Sequence, residues 1–342
     1  MILIPAEGKG ASSMDITKKR IIMIHGLASK PPQADLHRLW TECLIENIRI
    51  DNQRLAGQLD DNPQVFVSAY WANATPYHIE DDKSYVNKLT KQVEKVIAER
   101  RKVKNKFHVG VGEKVDSFFK DRGQDVVKLL AGALMVKDDV MKALFHETYL
   151  YDQDQYIADK MRNPLEAALT SAWDDGCDVT LLSHSMGTFI AYDVLWRFSN
   201  RSLAEYKKYR NKKVQMFVTM GSPLGDATVR NLLFSRFHKN QGKREFPSNV
   251  ERWHNYACLG DVVAHDNDFE NIFFNAMRKL GVLARTPKYR AIDYVNLHNP
   301  FEVVAHSGNR QNIKRNPHES YGYLVQPRLG TWLADFLQGR LK

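Results

Sequence analysis

The chain contains no apolar run that approaches the length of a membrane span. A transmembrane helix takes about 20 consecutive apolar residues, and every apolar stretch here is interrupted well before that. Residues 1–10 also lack a basic region followed by a long apolar segment, so the sequence predicts no secretory signal. We expect a soluble protein with a flexible lead-in over residues 1–19 and one domain over residues 20–342.

Cysteine is scarce. The chain has three cysteines, Cys43, Cys177 and Cys258, which lie far apart and show no metal-ligand spacing. A disulfide-stabilised secreted domain or a structural zinc site would need more cysteines in closer pairs. The sequence therefore predicts free thiols, no metal site and a cytoplasmic location.

The balance of charge is basic, with a formal net charge of +9. Such a charge could attract nucleic acid or anionic lipid. The sequence contains no nucleic-acid recognition motif, and a basic net charge alone does not identify a nucleic-acid-binding protein. We therefore expect no specific nucleic-acid partner.

The most informative stretch is residues 177–199, where a serine stands between two apolar segments. Val179 to Leu182 is a short apolar run, which predicts a strand buried on both faces. Ser183-His184-Ser185-Met186-Gly187 follows, and apolar residues then recur at helical spacing up to Phe198. The pattern predicts a strand, a sharp turn and a helix.

This strand, turn and helix resemble the nucleophile elbow of the α/β-hydrolase superfamily, whose pattern is G-x-S-x-G. Ser183 stands where the first glycine is usual. The resemblance implies a doubly wound, mainly parallel sheet with helices on both faces and Ser185 as the nucleophile. The alternative is an N-capping serine between a core strand and a core helix.

A second motif follows an early strand. Arg20 to Ile24 is an apolar run, and His25-Gly26-Leu27 comes directly after it. In α/β-hydrolases such a turn supplies one backbone N–H to the oxyanion hole. The resemblance therefore implies two oxyanion donors, the N–H groups of Leu27 and Met186. We interpret His25 itself as a structural hydrogen-bonding residue.

The next segments bear on substrate access. Trp71 and Tyr77 follow a predicted strand over residues 64–70, where they could line a pocket or pack in the core. Residues 51–62 are polar and predict a loop. Residues 81–156 show no strand alternation, and the resemblance implies a helical insertion that forms a lid. A basic, partly apolar lid could contact an anionic membrane, although apolar helical stripes more often pack on the core.

Two further predicted strands lead to a candidate acid. Residues 214–220 precede a G-S-P-L-G turn, and residues 253–258 precede Asp261. In the lipase-like part of the superfamily the acid follows this second strand, so the resemblance assigns it to Asp261. Asp226 and Asp266 remain alternatives.

The candidate base lies nearer the C-terminus. Residues 291–297 predict the last strand, and the loop after it carries His298, His306 and His318 before an apolar helical run over residues 324–337. The superfamily places its catalytic histidine between the last strand and the last helix. His318, just before the start of that helix, fits best, and His306 is a weaker candidate.

The resemblance implies a lipase-like or esterase-like serine hydrolase that cleaves a carboxylic ester of acyl or lipid-like character. Its reaction runs through a Ser185, His318 and Asp261 triad and an acyl-enzyme, with no metal or organic cofactor. A thioesterase or an amidase would use the same residues. A hydrolase-fold protein that binds a ligand without turnover is a further alternative.

Overall fold

The computed structural model describes residues 15–27, 30–74, 82–107, 148–235, 242–264, 268–285, 290–307 and 310–341. Residues 1–14 of the predicted lead-in and residues 108–147 of the predicted insertion lie outside these ranges, as do Tyr77 and Asp266.

A parallel sheet of six strands forms the centre of the protein, in the order β2-β1-β3-β4-β5-β6. Pairing in register places Ile22 of β1 between Val67 of β2 and Leu181 of β3. The predicted α/β class with a parallel sheet is thereby confirmed. The strands are β1 Lys19–Ile24, β2 Phe66–Ala69, β3 Asp178–His184, β4 Met216–Met220, β5 Trp253–Cys258 and β6 Ala291–Leu297.

Helices cover both faces of the sheet because its strands are apolar on both sides. They include α1 Gln33–Asp51, α2 Gln53–Asp60, α3 Lys83–Arg101, α4 Gln155–Asp174, α5 Met186–Asn200, α6 Ala204–Lys207, α7 Ala227–Ser235, α8 Asn275–Lys279, α9 Ser320–Leu324 and α10 Pro327–Leu337. A π-helical segment, Glu270–Phe274, leads into α8. On one face Ile22 joins an apolar core with α4 and α5, and on the other Ile21 joins a core with α1, α3 and α10.

The strand order reverses at β1. The chain leaves β1 for β2 at one edge and then crosses to β3 on the opposite side of β1. In open α/β sheets, ligands bind at the carboxyl ends of the strands where the order reverses. The ends of β1 and β3, at Ile24 and His184, therefore mark the first place to look for a site.

The polar segment 51–62 is not the predicted loop, because it contains α2. The Asn52 side chain caps this helix by accepting from Leu55 N–H at 3.1 Å. Leu55, Ala56 and Leu59 are buried on its inner face. Three apolar positions in an eight-residue helix are too few to stand out against the polar residues around them.

Residues 291–297 form β6 as predicted, and β6 is the last strand of the six-stranded sheet but not the last strand of the chain. An antiparallel pair, β7 Glu302–Ser307 and β8 Arg310–Arg315, follows β6 and forms a separate two-stranded sheet. The predicted helix over residues 324–337 begins later than expected, because α9 ends at Leu324 and α10 covers Pro327–Leu337. Pro327 occupies the first turn of α10, where its missing N–H costs no hydrogen bond.

Of the predicted lead-in, residues 16–18 form a 3₁₀ turn and Lys19 already belongs to β1. Of the predicted insertion, the first described part is the helix α3. Within the described ranges, no helix has the length and apolar character to cross a membrane.

Candidate active site

Ser185 occupies a sharp turn between β3 and α5. Its φ of 53° and ψ of −129° lie in a region that residues other than glycine rarely adopt. The Ser185 N–H donates to Met220 O of β4 at 3.0 Å, which anchors the turn to the neighbouring strand. This conformation places a serine where the carboxyl end of a central strand meets a helix N-terminus.

Two glycines let the end of β1 approach this turn closely. A Cβ added to Gly26 would lie 2.4 Å from Ser185 Cβ, and one added to Gly187 would lie 2.5 Å from His25 O. Both distances are far below van der Waals contact. Only residues without a side chain allow the segment after β1 to lie against Ser185 and the first turn of α5.

Ser183, at the position where the resemblance has a glycine, is fully buried in β3. Its hydroxyl donates to Val218 O of β4 at 2.7 Å. The hydroxyl is therefore satisfied inside the sheet, and the small side chain fits the turn without displacing Ser185.

The structure brings Ser185, His318 and Asp261 together from three distant parts of the chain. His318 Nε2 lies 3.0 Å from Ser185 Oγ, and His318 Nδ1 lies 2.9 Å and 3.0 Å from the two oxygens of Asp261. A carboxylate can only accept, so Nδ1–H donates to Asp261 and Nε2 of the neutral ring accepts from Ser185. This is the hydrogen-bond order that makes a serine hydroxyl nucleophilic.

Asp261 is enclosed by hydrogen-bond donors. Its Oδ1 accepts from Val263 N–H at 2.9 Å and from Ala264 N–H at 3.3 Å, in the turn after β5. Its Oδ2 accepts from the Tyr323 hydroxyl of α9 at 2.6 Å. The Asp261 side chain is fully buried, and these donors compensate the loss of hydration of its charge.

The two implied oxyanion donors flank Ser185. Met186 is the first residue of α5, and Leu27 follows Gly26, which touches Ser185. Within the described part of the chain, neither backbone N–H donates to another protein group. Both residues are buried, so a charge that developed near them would be shielded from bulk water.

His25 is held between two hydrogen bonds. Its Nδ1 lies 2.8 Å from Gly26 O, and its Nε2 accepts from Trp71 N–H at 3.0 Å. Burial, followed by the positive charge of Lys30, lowers the pKa of His25 to about 3. The ring is therefore neutral and braces the Gly26 turn.

Trp71 is buried and stacks on His25 with ring centroids 5.0 Å apart. Its indole N–H donates to His25 O at 2.8 Å. The sequence left two interpretations of Trp71, pocket lining and core packing. Its described contacts are those of a residue that packs behind the turn after β1.

His184, directly before Ser185, contacts the candidate base. Its Nε2–H donates to His318 O at 2.8 Å, and the two rings lie 4.8 Å apart. Burial lowers the pKa of His184 well below its ordinary value, and the charge of a protonated His318 would lower it further. His184 is therefore a neutral donor to the backbone that carries His318.

The rival candidates occupy other environments. Asp226 caps α7 by accepting from the N–H groups of Thr228 at 2.7 Å and Val229 at 3.0 Å. His298 follows β6, with its ring against Phe107, and His306 lies on β7. Among the contacts of the described residues, the His318 imidazole pairs with Asp261 and not with Asp226.

Sequence reasoning missed Tyr323 and the role of His184. Tyr323 falls in an apolar run, where an aromatic residue indicates only core packing. The missed β7–β8 pair did carry a signal, because Gly308-Asn309 between two strand-like runs is a two-residue hairpin pattern.

Within the described ranges, no cluster of three or more histidine, cysteine, aspartate or glutamate side chains could hold a metal ion. Comparisons with protein-family profiles, curated proteins and solved structures found no match.

Proposed function

We propose that the protein is a serine hydrolase of the α/β-hydrolase type that cleaves carboxylic esters. The observation that carries the proposal is the hydrogen-bonded series from Ser185 Oγ through the His318 ring to Asp261, with contacts of 3.0 Å and 2.9 Å. The position of Ser185, in a turn with a positive φ where the strand order reverses, supports it. The chain order serine, aspartate, histidine is also that of this superfamily.

In the proposed first step, Ser185 Oγ attacks the carbonyl carbon of the ester while His318 Nε2 takes its proton. Asp261 holds His318 in the tautomer that leaves Nε2 free to accept, and it stabilises the imidazolium that forms. The carbonyl oxygen becomes an oxyanion, which the N–H groups of Leu27 and Met186 stabilise. One such donor is worth about 10²–10³ in turnover.

The tetrahedral intermediate then collapses. The bond to the alkoxy oxygen breaks, His318 returns the proton to the departing alcohol, and the acyl group remains on Ser185. A water molecule, deprotonated by His318, attacks the acyl-enzyme and releases the carboxylic acid with the serine restored. Every proton in this scheme moves through His318, so the proposed reaction requires no metal and no organic cofactor.

The same residues would serve a thioesterase or an amidase. A hydrolase-fold protein that binds without turnover is the other alternative, and the hydrogen bonds of Ser185, His318 and Asp261 argue against it. Rates on matched oxygen esters, thioesters and amides of one acyl group distinguish the three activities. We expect the oxygen ester to be cleaved fastest.

The experiment that tests the proposal compares two aspartates. Asp261→Asn keeps the shape of the side chain but favours the wrong His318 tautomer, which costs about 10⁴-fold in the corresponding position of a serine protease. Asp226→Asn is the matched control, because asparagine caps a helix as well as aspartate does. Turnover of short-chain nitrophenyl esters should be lost in Asp261→Asn and in Ser185→Ala, and retained in Asp226→Asn. Equal activity of the two asparagine variants would overturn the proposal.

We also propose a cytoplasmic protein that meets its lipid-like substrate at an anionic membrane surface. All three cysteines are buried and unpaired, as a reducing compartment allows. Lys88, Lys91 and Lys95 are exposed on one side of α3, at the spacing of a helix face. Replacing all three with glutamate should abolish sedimentation with vesicles that contain phosphatidylserine, and unchanged sedimentation would contradict this contact.

A further inference from the structure

The segment that carries His318 lies between β8 and α9 and has little apolar packing of its own. Residues 316–319 are only partly buried, and the His318 side chain is 16 % exposed. A segment of this kind is held by hydrogen bonds rather than by core contacts. The position of its backbone therefore depends on the side chains that donate hydrogen bonds to it.

Three consecutive carbonyl groups of this segment accept from buried side chains. Asn299 donates its amide to Pro317 O at 2.9 Å and to Glu319 O at 2.9 Å. His184 donates to the carbonyl between them, His318 O, at 2.8 Å. One asparagine thus bonds the main chain on both sides of His318, in addition to the bonds that Asn316 makes within the segment.

Asn299 has no freedom to turn. It is 3 % exposed, and its amide oxygen accepts from Phe301 N–H at 3.0 Å, so donors and acceptor are all engaged. Its side chain also lies directly against Gly322 of α9, where an added Cβ would overlap it. Rotation of the amide by half a turn would place its oxygen against two carbonyl oxygens, which repel it.

We propose that Asn299 is a positioning residue that sets the distance between His318 Nε2 and Ser185 Oγ. The inference rests on the proposed function, because the distance matters only if His318 acts as the base. Without the amide, the Pro317 and Glu319 carbonyls lose their donor and the turn can move. A displacement of about 1 Å in a catalytic group costs about 10²-fold in rate.

The chain provides a matched control. Asn47 of α1 is also buried, and its amide donates to Leu324 O and Gln326 O, both at 2.9 Å. It packs against Gly330 of α10 in the way that Asn299 packs against Gly322. Asn47 therefore donates in the same way, at the junction of α9 and α10 rather than at His318. Its amide oxygen differs, because it accepts from Arg100 Nε–H at 2.7 Å.

The test compares Asn299→Asp with Asn47→Asp. Each change replaces two N–H donors with a carboxylate oxygen that faces carbonyl oxygens, so Asn299→Asp should be less stable than the wild type. In Asn47→Asp the Arg100 guanidinium beside the new carboxylate offsets part of this loss. Only Asn299→Asp should lower kcat on a short-chain ester, by about 10²-fold, with KM little changed because the residue does not contact substrate. If either aspartate variant does not fold, the neutral pair Asn299→Ser and Asn47→Ser replaces it.

Hydrogen exchange provides a readout independent of turnover. Amides in the peptide 316–320 should exchange faster in Asn299→Asp than in Asn47→Asp. Equal exchange in that peptide, or equal kcat in the two folded variants, would overturn the role of Asn299. A wild type that cleaves no ester but shows the expected exchange difference would instead refute the proposed function and leave the anchoring by Asn299 in place.

Discussion

The Tyr323 hydroxyl lies 2.6 Å from Asp261 Oδ2 and donates to it. The same hydroxyl accepts from Cys258 N–H at 2.9 Å, at the irregular end of β5. Tyr323 thus joins α9 to the end of β5 and to Asp261 in the turn that follows it. Tyr323 donates to one oxygen of the Asp261 carboxylate, whereas His318 Nδ1 lies within hydrogen-bond distance of both oxygens.

Tyr323→Phe should lower turnover. Without the hydroxyl, Asp261 Oδ2 loses a donor, and the carboxylate that orients His318 is held less firmly. The value of kcat/KM should therefore fall by about tenfold or more, since a hydrogen bond to a charged group is worth about 1.5–3 kcal/mol. The measurement is kcat/KM on one short-chain ester.

Tyr321→Phe is the control, because Tyr321 is a buried tyrosine of the same helix that packs against Phe301. Its kcat/KM should equal that of the wild type. Equal kcat/KM in all three proteins would show that the Tyr323 hydroxyl has no influence on the His318–Asp261 pair.

Gly26→Ala should remove most of the activity. The new methyl group would lie 2.4 Å from Ser185 Cβ and 3.0 Å from Ser185 Oγ, so the segment that carries Leu27 N–H must move away. Loss of one oxyanion donor costs about 10²–10³ in turnover.

Gly57→Ala is the control, because a Cβ on Gly57 of α2 meets nothing within 4 Å. It should keep full activity and gain up to about 1 kcal/mol in stability. An active Gly26→Ala enzyme would contradict the close approach.

Ser185→Gly should be more stable than Ser185→Ala, although both should be inactive. Backbone strain of this kind costs about 1–3 kcal/mol for a residue with a Cβ. The extra chain entropy of glycine offsets about 0.5–1 kcal/mol of the gain. We therefore expect glycine to raise the free energy of unfolding by about 1 kcal/mol relative to alanine, as measured by urea unfolding. An alanine variant of equal or greater stability would indicate an unstrained turn at φ 53°.

Acid should destabilise the protein through His25. Its pKa is about 3 in the folded state because of burial, against 6.5 for the ordinary side chain. Between these values the unfolded chain binds a proton that the folded chain does not, so stability falls as the pH falls from 6.5 towards 3. One such group contributes a slope of up to about 1.4 kcal/mol per pH unit. His184, whose pKa is also lowered by burial, adds to the same trend.

His25→Asn should reduce the slope of the free energy of unfolding against pH by up to the contribution of one titrating group. The measurement is the free energy of unfolding at several pH values between 3 and 6.5. The variant should be less stable than the wild type at neutral pH, because the bond from Trp71 N–H is lost or lengthened. An unchanged slope would show that His25 takes up its proton in the folded state.

Much of the sheet could be predicted from the sequence, because its strands are short apolar runs bounded by polar or glycine-containing turns. β3 and β4 illustrate this, as does the turn at Ser185, whose residue pattern is specific. The α2 helix could not be predicted in the same way, since its stability comes from the Asn52 cap and from packing of Leu55 and Leu59.

The candidate site was predictable only in part. Residue spacing left Asp226, Asp261 and Asp266 as alternatives for the acid, and the resemblance was needed to choose among them. The contacts of Tyr323 and Asn299 join segments that are 62 and 18 residues apart in sequence. No local pattern marks such pairs, because each residue type is common in a core or a turn for other reasons.

The central claim is that Ser185 is an activated nucleophile. The most direct measurement is the intact mass of the protein after treatment with a fluorophosphonate, for the wild type and for Ser185→Ala, followed by peptide mapping of the adduct. We predict one adduct on the wild type, located on Ser185, and none on the variant. No adduct on the folded wild type, with or without detergent micelles, or an equal adduct on Ser185→Ala, would contradict the claim.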